Sequence, residues 1–197
     1  MDSLSNNKSI AAKKKMLFHV CCANCMLYPV SILSADYDIT LFFYNPNIGP
    51  KQEYKKRLES VKRASASLGI NLIAPDYEPD VFTELASPFK DEPEGGKRCS
   101  ICFELRLSET AKYAAANNFD IFGTTLTVSP HKNQEKINST GRQLSIKYQI
   151  DFYAADFKKQ DGFKKTMQLS SKMGVYRQNY CGCIYSIRNS HQIGLQL

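Results

Sequence analysis

The sequence has no tryptophan, no apolar run long enough to cross a membrane and no apolar segment at its start. Residues 1–15 are polar and lysine-rich, and we expect them to form a disordered tail. Neither glycine-rich phosphate loop, G-x-G-x-x-G or G-x-x-x-x-G-K-[ST], occurs. These absences argue against a membrane protein, a secreted protein and an enzyme that binds ATP or a dinucleotide through such a loop. We therefore expect a cytoplasmic protein.

The chain of 197 residues is basic, with 26 Lys and Arg against 19 Asp and Glu and a formal net charge of +7. This length favours one compact domain, which we assign to residues 16–197. The positive excess favours a polyanionic partner such as nucleic acid, although a solvated basic surface gives the same count. Without tryptophan, any stacking on bases would fall to tyrosine and phenylalanine.

Cysteine is missing from long stretches of the chain and concentrated in three short clusters. The clusters are Cys21, Cys22 and Cys25; Cys99 and Cys102; and Cys181 and Cys183. The odd count disfavours a disulfide framework, which belongs to small secreted domains. Thiolates close in sequence select zinc, copper(I) or iron–sulfur centres, and seven exceed the four ligands of one structural zinc. We favour a centre with more than one metal unit; a structural zinc site, thiol redox chemistry and inert buried cysteines are the alternatives.

The spacing within the clusters bears on how many metals they serve. The C-x-x-C pair at residues 99–102 opens a predicted helix, whose N-terminus lowers a thiol pKa. The C-G-C motif at residues 181–183 is tighter than the usual spacing of two ligands to one zinc. Adjacent side chains, as in Cys21 and Cys22, do not easily point at one atom. Both doubled cysteines indicate two neighbouring metal sites.

Short apolar runs alternate with helical patterns along the chain. Strands are predicted over residues 16–20, 39–44, 70–74, 120–127 and 151–154. Helices are predicted over residues 27–33, 52–68, 80–86, 102–117 and 134–148. Residues 157–190 are predicted to be an irregular helical region that carries the third cysteine cluster. This alternation predicts an α/β fold with a doubly wound, mainly parallel, Rossmann-like sheet.

Several polar motifs follow the predicted strands. The first cysteine cluster ends the first strand, where a phosphate loop would stand, Asn-Pro-Asn at residues 45–47 ends the second, and Ser-Pro-His at residues 129–131 follows the fourth. Because ligands bind beyond the carboxyl ends of such strands, we expect all three to face one crevice. His19 lies within an apolar strand, which favours a buried or supporting role over metal ligation.

Tyr180 stands beside the third cysteine cluster. It could donate a proton or simply cover a metal, and the sequence does not separate these roles. Residues 176–179 combine aromatic, basic and amide side chains, which suits an RNA loop but is also typical of an exposed helix face.

Together these residues resemble the QueH family, the cobalamin-independent epoxyqueuosine reductases, over residues 16–190. Five motifs in order carry the resemblance: H-V-C-C-A-N-C at 19–25, F-Y-N-P-N-I at 43–48, G-G-K-R-C-x-x-C-F at 95–103, T-T-L-x-x-S-P at 124–130 and Q-N-Y-C-G-C at 178–183.

The resemblance implies the last step of queuosine biosynthesis, in which epoxyqueuosine at the wobble position of tRNA is reduced to queuosine. It implies a sheet of the HUP type, a [4Fe-4S] cluster, an additional mononuclear iron, the tRNA anticodon loop as partner and an unidentified electron donor. The ligands it implies are Cys21, Cys22, Cys25, Cys99, Cys102, Cys181 and Cys183; family members can carry aspartate where Cys25 stands. Tyr180 is our speculative proton donor.

Two other functions fit part of the pattern. An iron–sulfur tRNA thiolase on a similar sheet would need an ATP-binding loop such as S-G-G-x-D-S after the first strand, and that loop is absent. A zinc-stapled RNA-binding module would be colourless and would retain zinc.

Overall fold

The computed structural model describes residues 12–191, which form a five-stranded parallel sheet covered by helices on both faces. The strands are β1 (Lys14–His19), β2 (Tyr37–Phe42), β3 (Asn71–Ile73), β4 (Ile121–Thr124) and β5 (Asp151–Phe152). The helices are α1 (Ala23–Leu33), α2 (Lys51–Leu68), α3 (Pro79–Ala86), α4 (Lys97–Ala116), α5 (Gln134–Tyr148), α6 (Gly162–Met173) and α7 (Ile184–His191). The strand order β3-β2-β1-β4-β5 confirms the predicted doubly wound sheet.

Alternate side chains of β1 fill two separate cores. Met16 and Phe18 pack with α1 and α2 on one face, whereas Leu17 packs with α4 and α5 on the other. All three are fully buried, as expected of a central parallel strand that is covered on both sides. The carboxyl end of β1, which leads into the first cysteine cluster, is therefore held rigidly at the middle of the sheet edge.

The tail predicted over residues 1–15 ends earlier than expected, because β1 begins at Lys14, which pairs with Tyr37. The Lys15 N–H donates to the Asp120 carboxylate at 2.6 Å, and the Lys15 carbonyl accepts from the Asp120 N–H at 2.9 Å. These backbone bonds outweigh the polar composition of the segment. Residues 1–11 of the predicted tail lie outside the described residues.

Further boundaries differ from the prediction. Helix α4 begins at Lys97 rather than at residue 102, and β5 ends at Phe152 rather than at residue 154. Helix α1 starts at Ala23 and continues through Pro29, rather than beginning at residue 27. Strand β2 ends at Phe42 rather than at residue 44. Strand β4 ends at Thr124, whose hydroxyl accepts the N–H of Leu126 at 3.1 Å and starts a 3₁₀ turn where the strand was expected to continue.

The C-terminal region is less helical than predicted. Residues 174–183 form no helix, and they carry the third cysteine cluster between α6 and α7. Gly174, with φ of +60°, ends α6 in a left-handed conformation that glycine adopts readily. Ile48 then forms an isolated antiparallel bridge with Cys183, which ties this segment to the end of the second β–α connection. Among residues 12–191, no helix is both long enough and apolar enough to span a bilayer.

Candidate metal centre

The first cysteine cluster lies at the carboxyl end of β1. The Sγ atoms of Cys21, Cys22 and Cys25 all lie within 4.8 Å of one another. Cys22 has extended backbone angles (φ −169°, ψ 158°) immediately before α1, so the chain changes from strand to helix between the first two cysteines and the third. The three sulfurs are close enough to share one ion, and the expectation that Cys21 and Cys22 serve two metals stays a prediction.

The other four cysteines line a second, smaller cavity. Cys99 and Cys102 come from the first turns of α4, and Cys181 and Cys183 come from the segment between α6 and α7. The backbone N–H of Gly95 lies 3.2 Å from the Cys99 sulfur. The structure thus divides the seven predicted ligands into one group of three and one group of four.

The C-G-C motif brings both its cysteines to the same cavity through the conformation of Gly182. Its φ of +105° lies in a region that L-residues rarely adopt, and an added Cβ would stand 2.8 Å from the Arg57 guanidinium. Cys183 lines the small cavity alone, whereas Cys181 also lines the larger cavity described below. The interpretation that this motif serves two neighbouring metal sites stays a prediction.

Hydrogen bonds among the thiols of the three-cysteine group shift their pKa values in opposite directions. Hydrogen bonds from Cys22 and Cys25 hold the pKa of Cys21 well below its usual range, and Lys132 and Arg106 lower it further. The pKa values of Cys22 and Cys25 are raised, chiefly by their hydrogen bonds with the Cys21 sulfur and then by burial. A bound cation would displace these thiol protons.

Burial disfavours ionisation of two thiols in the four-cysteine group. It raises the pKa of Cys102 to about 12 and also raises that of Cys183. Burial therefore favours the thiol over the thiolate at these two positions, and the positive charge of Arg106 opposes this effect at Cys102.

Arg106 is a buried cation between the two groups. It is 2% exposed, its Nε donates to the Cys102 carbonyl at 3.1 Å, and its Nη1 donates to the Asn45 side chain at 3.5 Å. Within residues 12–191, no carboxylate forms an ion pair with it. Burial alone would lower the pKa of Arg106, but the negative charges of Cys102 and Cys21 raise it above its ordinary value. Arg106 therefore supplies a permanent positive charge that thiolates can balance.

Arg57, which lies on α2, holds the backbone of the third cysteine cluster by hydrogen bonds. Its Nε pairs with Glu53 at 2.7 Å, and its two Nη groups donate to the carbonyls of Cys181 and Tyr180, each at 3.1 Å. The guanidinium carbon also lies 5.3 Å from the centre of the Tyr180 ring. The sequence shows the i, i+4 spacing of this ion pair but gives no sign that it contacts a segment more than a hundred residues away.

Two polar side chains support the first cluster. The Gln178 amide donates to the Cys22 sulfur at 3.0 Å, an arrangement that orients a metal ligand. His19 is fully buried, with its ring nitrogens 3.0 Å from the Thr124 hydroxyl and 3.2 Å from the Tyr44 carbonyl. Burial lowers the pKa of His19 to about 3, so the ring is neutral and supports the sheet, as expected.

A larger cavity, of about 370 Å³, opens over both groups. Cys21, Cys25 and Cys181 line it, together with residues 128–132 and 177–180 and one face of α6. The Ser-Pro-His motif therefore faces this crevice as predicted. The Asn-Pro-Asn turn does not, because Asn45 is buried behind the crevice, where its amide donates to the Val20 carbonyl at 2.9 Å.

Tyr180 lines the larger cavity, but its hydroxyl donates to the Gly49 carbonyl at 2.9 Å. Burial and the charge of Glu53 raise the pKa of Tyr180 to about 12. In this conformation the hydroxyl is held by the backbone.

Comparison with known proteins places this arrangement in a family. Residues 16–189 match the family described as Epoxyqueuosine reductase QueH. The chain belongs to the QueH family. It is 37% identical over 184 residues to epoxyqueuosine reductase QueH of Streptococcus pyogenes serotype M1, covering 90% of this chain and 72% of that protein. With QueH of Thermotoga maritima the identity is 36% over 175 residues, covering 87% and 90% of the two chains. The predicted resemblance is confirmed, and membership of the QueH family identifies an oxidoreductase.

Among solved structures, the U34-tRNA thiolase NcsA from Methanococcus maripaludis with its [4Fe-4S] cluster is similar. Its TM-score is 0.58 at 11% identity, and the match covers 88% of this chain and 61% of the thiolase. At this identity the likeness concerns the fold alone, and it agrees with the HUP-type sheet expected of the QueH family.

Proposed function

We propose that this chain reduces epoxyqueuosine to queuosine in the anticodon loop of tRNA, the last step of queuosine biosynthesis, with iron bound by its cysteines. The observation that carries the proposal is the convergence of cysteines from three remote segments on two cavities that share Cys181, with Cys22 completing the first cluster. Family membership supplies the reaction, since the matched relatives are named epoxyqueuosine reductases. We place the reaction in the cytoplasm, where thiols stay reduced.

The donor set fits the metals that the family implies. Four thiols on one cavity suit a [4Fe-4S] cluster, and we assign them as its ligands: Cys99, Cys102, Cys181 and Cys183. We assign the group of three, Cys21, Cys22 and Cys25, to the mononuclear iron. When bound, these groups supply single electrons and Lewis acidity toward the epoxide oxygen. Support for an iron–sulfur centre also comes from the fold shared with a thiolase that holds one.

The reaction opens both carbon–oxygen bonds of the epoxide, forms a carbon–carbon double bond and releases the oxygen as water. This consumes two electrons and two protons for each epoxide. An external low-potential one-electron donor must supply the electrons, because none of the side chains does so. The protein's own part is to bind the nucleoside in the larger cavity, to keep charge balanced through Arg106 and Lys132, and to deliver protons.

Lys132 is well placed to balance charge because it lines both cavities. Burial alone would lower the pKa of Lys132, but the negative charges of Cys181 and Cys21 raise it above its ordinary value. The ammonium group therefore stays positive beside the thiolates and opposes the accumulation of negative charge during reduction.

The experiment that tests the proposal uses anaerobically purified full-length protein, tRNA that carries epoxyqueuosine and dithionite as reductant. We expect bound iron and sulfide, and conversion of epoxyqueuosine to queuosine detected by mass spectrometry of the digested nucleosides. A colourless protein that holds zinc and leaves the nucleoside unchanged would instead support the zinc-stapled module. Dependence on ATP, with sulfur entering the tRNA, would support a thiolase.

Tyr180 remains our predicted proton donor, and acting as one requires its hydroxyl to leave the Gly49 carbonyl. We expect Tyr180→Phe to lower kcat by about 10²-fold or more, the usual size of general acid catalysis, with iron and sulfide content unchanged. Single-turnover measurement of kcat beside metal analysis checks this. An unchanged kcat would assign Tyr180 to covering the metal centre.

A further inference from the structure

Helix α6 presents an exposed aromatic ring at the mouth of the larger cavity. Phe163, Thr166 and Met167 lie on one face of α6, and all three line this cavity. Phe163 is 40% exposed, and among the described residues it is the only phenylalanine or tyrosine in the exposed class. An isolated exposed ring beside a reaction cavity is a candidate contact for substrate.

The surroundings of this ring are basic. Residues 156–177 contain six cations and two carboxylates, Asp156 and Asp161; the cations are Lys158, Lys159, Lys164, Lys165, Lys172 and Arg177. Lys158 also reaches the cavity wall, because its Nζ donates to the Lys132 carbonyl at 3.1 Å. Such a surface attracts a phosphate backbone.

The lining of the cavity has the same sign. Arg57, Lys132 and Arg177 face it, whereas Glu94 is the one carboxylate among the described residues of its lining. An acidic peptide could pair with these cations, but its binding would not require the exposed aromatic ring of Phe163. A single-stranded nucleic acid uses both, since its phosphates pair with cations and its unpaired bases stack on aromatic faces.

The position of the ring relative to the cysteines decides which part of the nucleic acid it meets. Cys21, Cys25 and Cys181 line the same cavity as Phe163 and Arg177. A nucleoside bound at these cysteines would therefore share the cavity with the Phe163 ring, which would bring the next nucleotide of the strand within reach of that ring.

We infer that Phe163, which lines the same cavity as Arg177, is a stacking platform for an unpaired RNA base adjacent to the reacting nucleoside. This inference rests on the proposed function, because that function puts a looped RNA strand in the cavity. It adds the surface by which this chain holds the loop, separately from the metal centre.

Binding of unmodified RNA tests the platform without any reductase reaction. The probes are a fluorescent anticodon stem-loop without epoxyqueuosine and a fluorescent duplex of equal length, each titrated by anisotropy with metal-loaded protein at several salt concentrations. We expect Phe163→Ala to weaken stem-loop binding by about 5- to 150-fold, since stacking contributes roughly 1–3 kcal/mol per base. Duplex binding should not change, because paired bases offer no free face.

Two variants serve as controls for the ring. Phe163→Tyr keeps an aromatic face and should restore stem-loop binding. Ile146→Ala removes a side chain that is 81% exposed on α5 and does not line the cavity, so binding should match the wild type. Iron content must equal that of the wild type in every variant.

The contribution of Arg177 is tested by the salt dependence of RNA binding. Arg177→Ala should reduce the slope of log K against log salt by about one for both probes, as expected for the loss of one phosphate contact. Arg142→Ala, which removes an exposed arginine of α5 outside the cavity lining, should leave the slope unchanged.

The outcomes separate the platform from the reaction. Wild-type affinity of Phe163→Ala for the stem-loop, or equal weakening of stem-loop and duplex binding, overturns the platform even if reduction proceeds. A wild-type chain that binds neither probe overturns it as well. Conversely, stem-loop binding that depends on Phe163 in a chain that cannot reduce epoxyqueuosine upholds the platform and refutes the proposed function.

Discussion

Replacing Cys99 by alanine is expected to abolish epoxyqueuosine reduction and to remove the inorganic sulfide from the protein. Cys99 is one of the four thiols on the small cavity, and three remaining thiols leave one iron of a four-iron cluster without a protein ligand. Replacing Cys22 is expected to abolish activity in a different way, by lowering the iron content while the sulfide is retained. Iron and sulfide measured per chain, together with the iron–sulfur absorbance, check both results.

A control for these substitutions lies one residue away. Ser100→Ala changes the same turn of α4 but does not touch the lining of the small cavity, so its metal content and activity should match the wild type. Loss of sulfide in Cys22→Ala, or its retention in Cys99→Ala, would show that the division of ligands is wrong. Full activity in a variant free of iron would refute the proposed function itself.

The second large effect is expected for Arg57→Met. This substitution leaves Glu53 as a buried carboxylate whose remaining partner is the Tyr176 hydroxyl at 2.8 Å. Breaking a buried ion pair by removing one partner costs about 3–5 kcal/mol, and both charges here are almost fully shielded from solvent. The free energy of unfolding, measured by urea denaturation, should fall by that amount. Iron content should fall too, because the carbonyls of Tyr180 and Cys181 lose their donor.

A double variant separates the two consequences. Glu53→Gln combined with Arg57→Met strands no charge, so part of the lost stability should return. Iron content should stay low, because the segment that carries Cys181 is still unanchored. Unfolding of the single variant within about 0.5 kcal/mol of the wild type would contradict this account of Arg57.

The layout of the fold could be predicted because its signals are local. Helix α5 runs over residues 134–148 as the periodicity predicts, and the apolar strand before the first cysteine cluster is the central strand β1. The end of the predicted tail could not be found in this way, since Lys14 and Lys15 are ordered by partners distant in sequence.

The candidate site was predictable in its members but not in its arrangement. Six of the seven cysteines line one or both of the two cavities, and Cys22 adjoins Cys21 and Cys25. The grouping of three and four depends on backbone angles, such as those at Cys22 and Gly182, that spacing does not reveal. Arg57 and Arg106 were missed because the burial of an arginine is decided by tertiary packing. Composition marks such residues only as surface charge.

The uneven distribution of the ligands along the chain has a consequence for assembly during synthesis. Cys21, Cys22 and Cys25 belong to one continuous strand-to-helix unit, which a growing polypeptide can shape early. The four-cysteine group combines residues of α4 with residues of the segment between α6 and α7. Of the three segments that carry cysteines, this last one is synthesised last. The sequence of the three-cysteine group is therefore complete early in synthesis, whereas the four-cysteine cavity needs residues 181 and 183 before it can form.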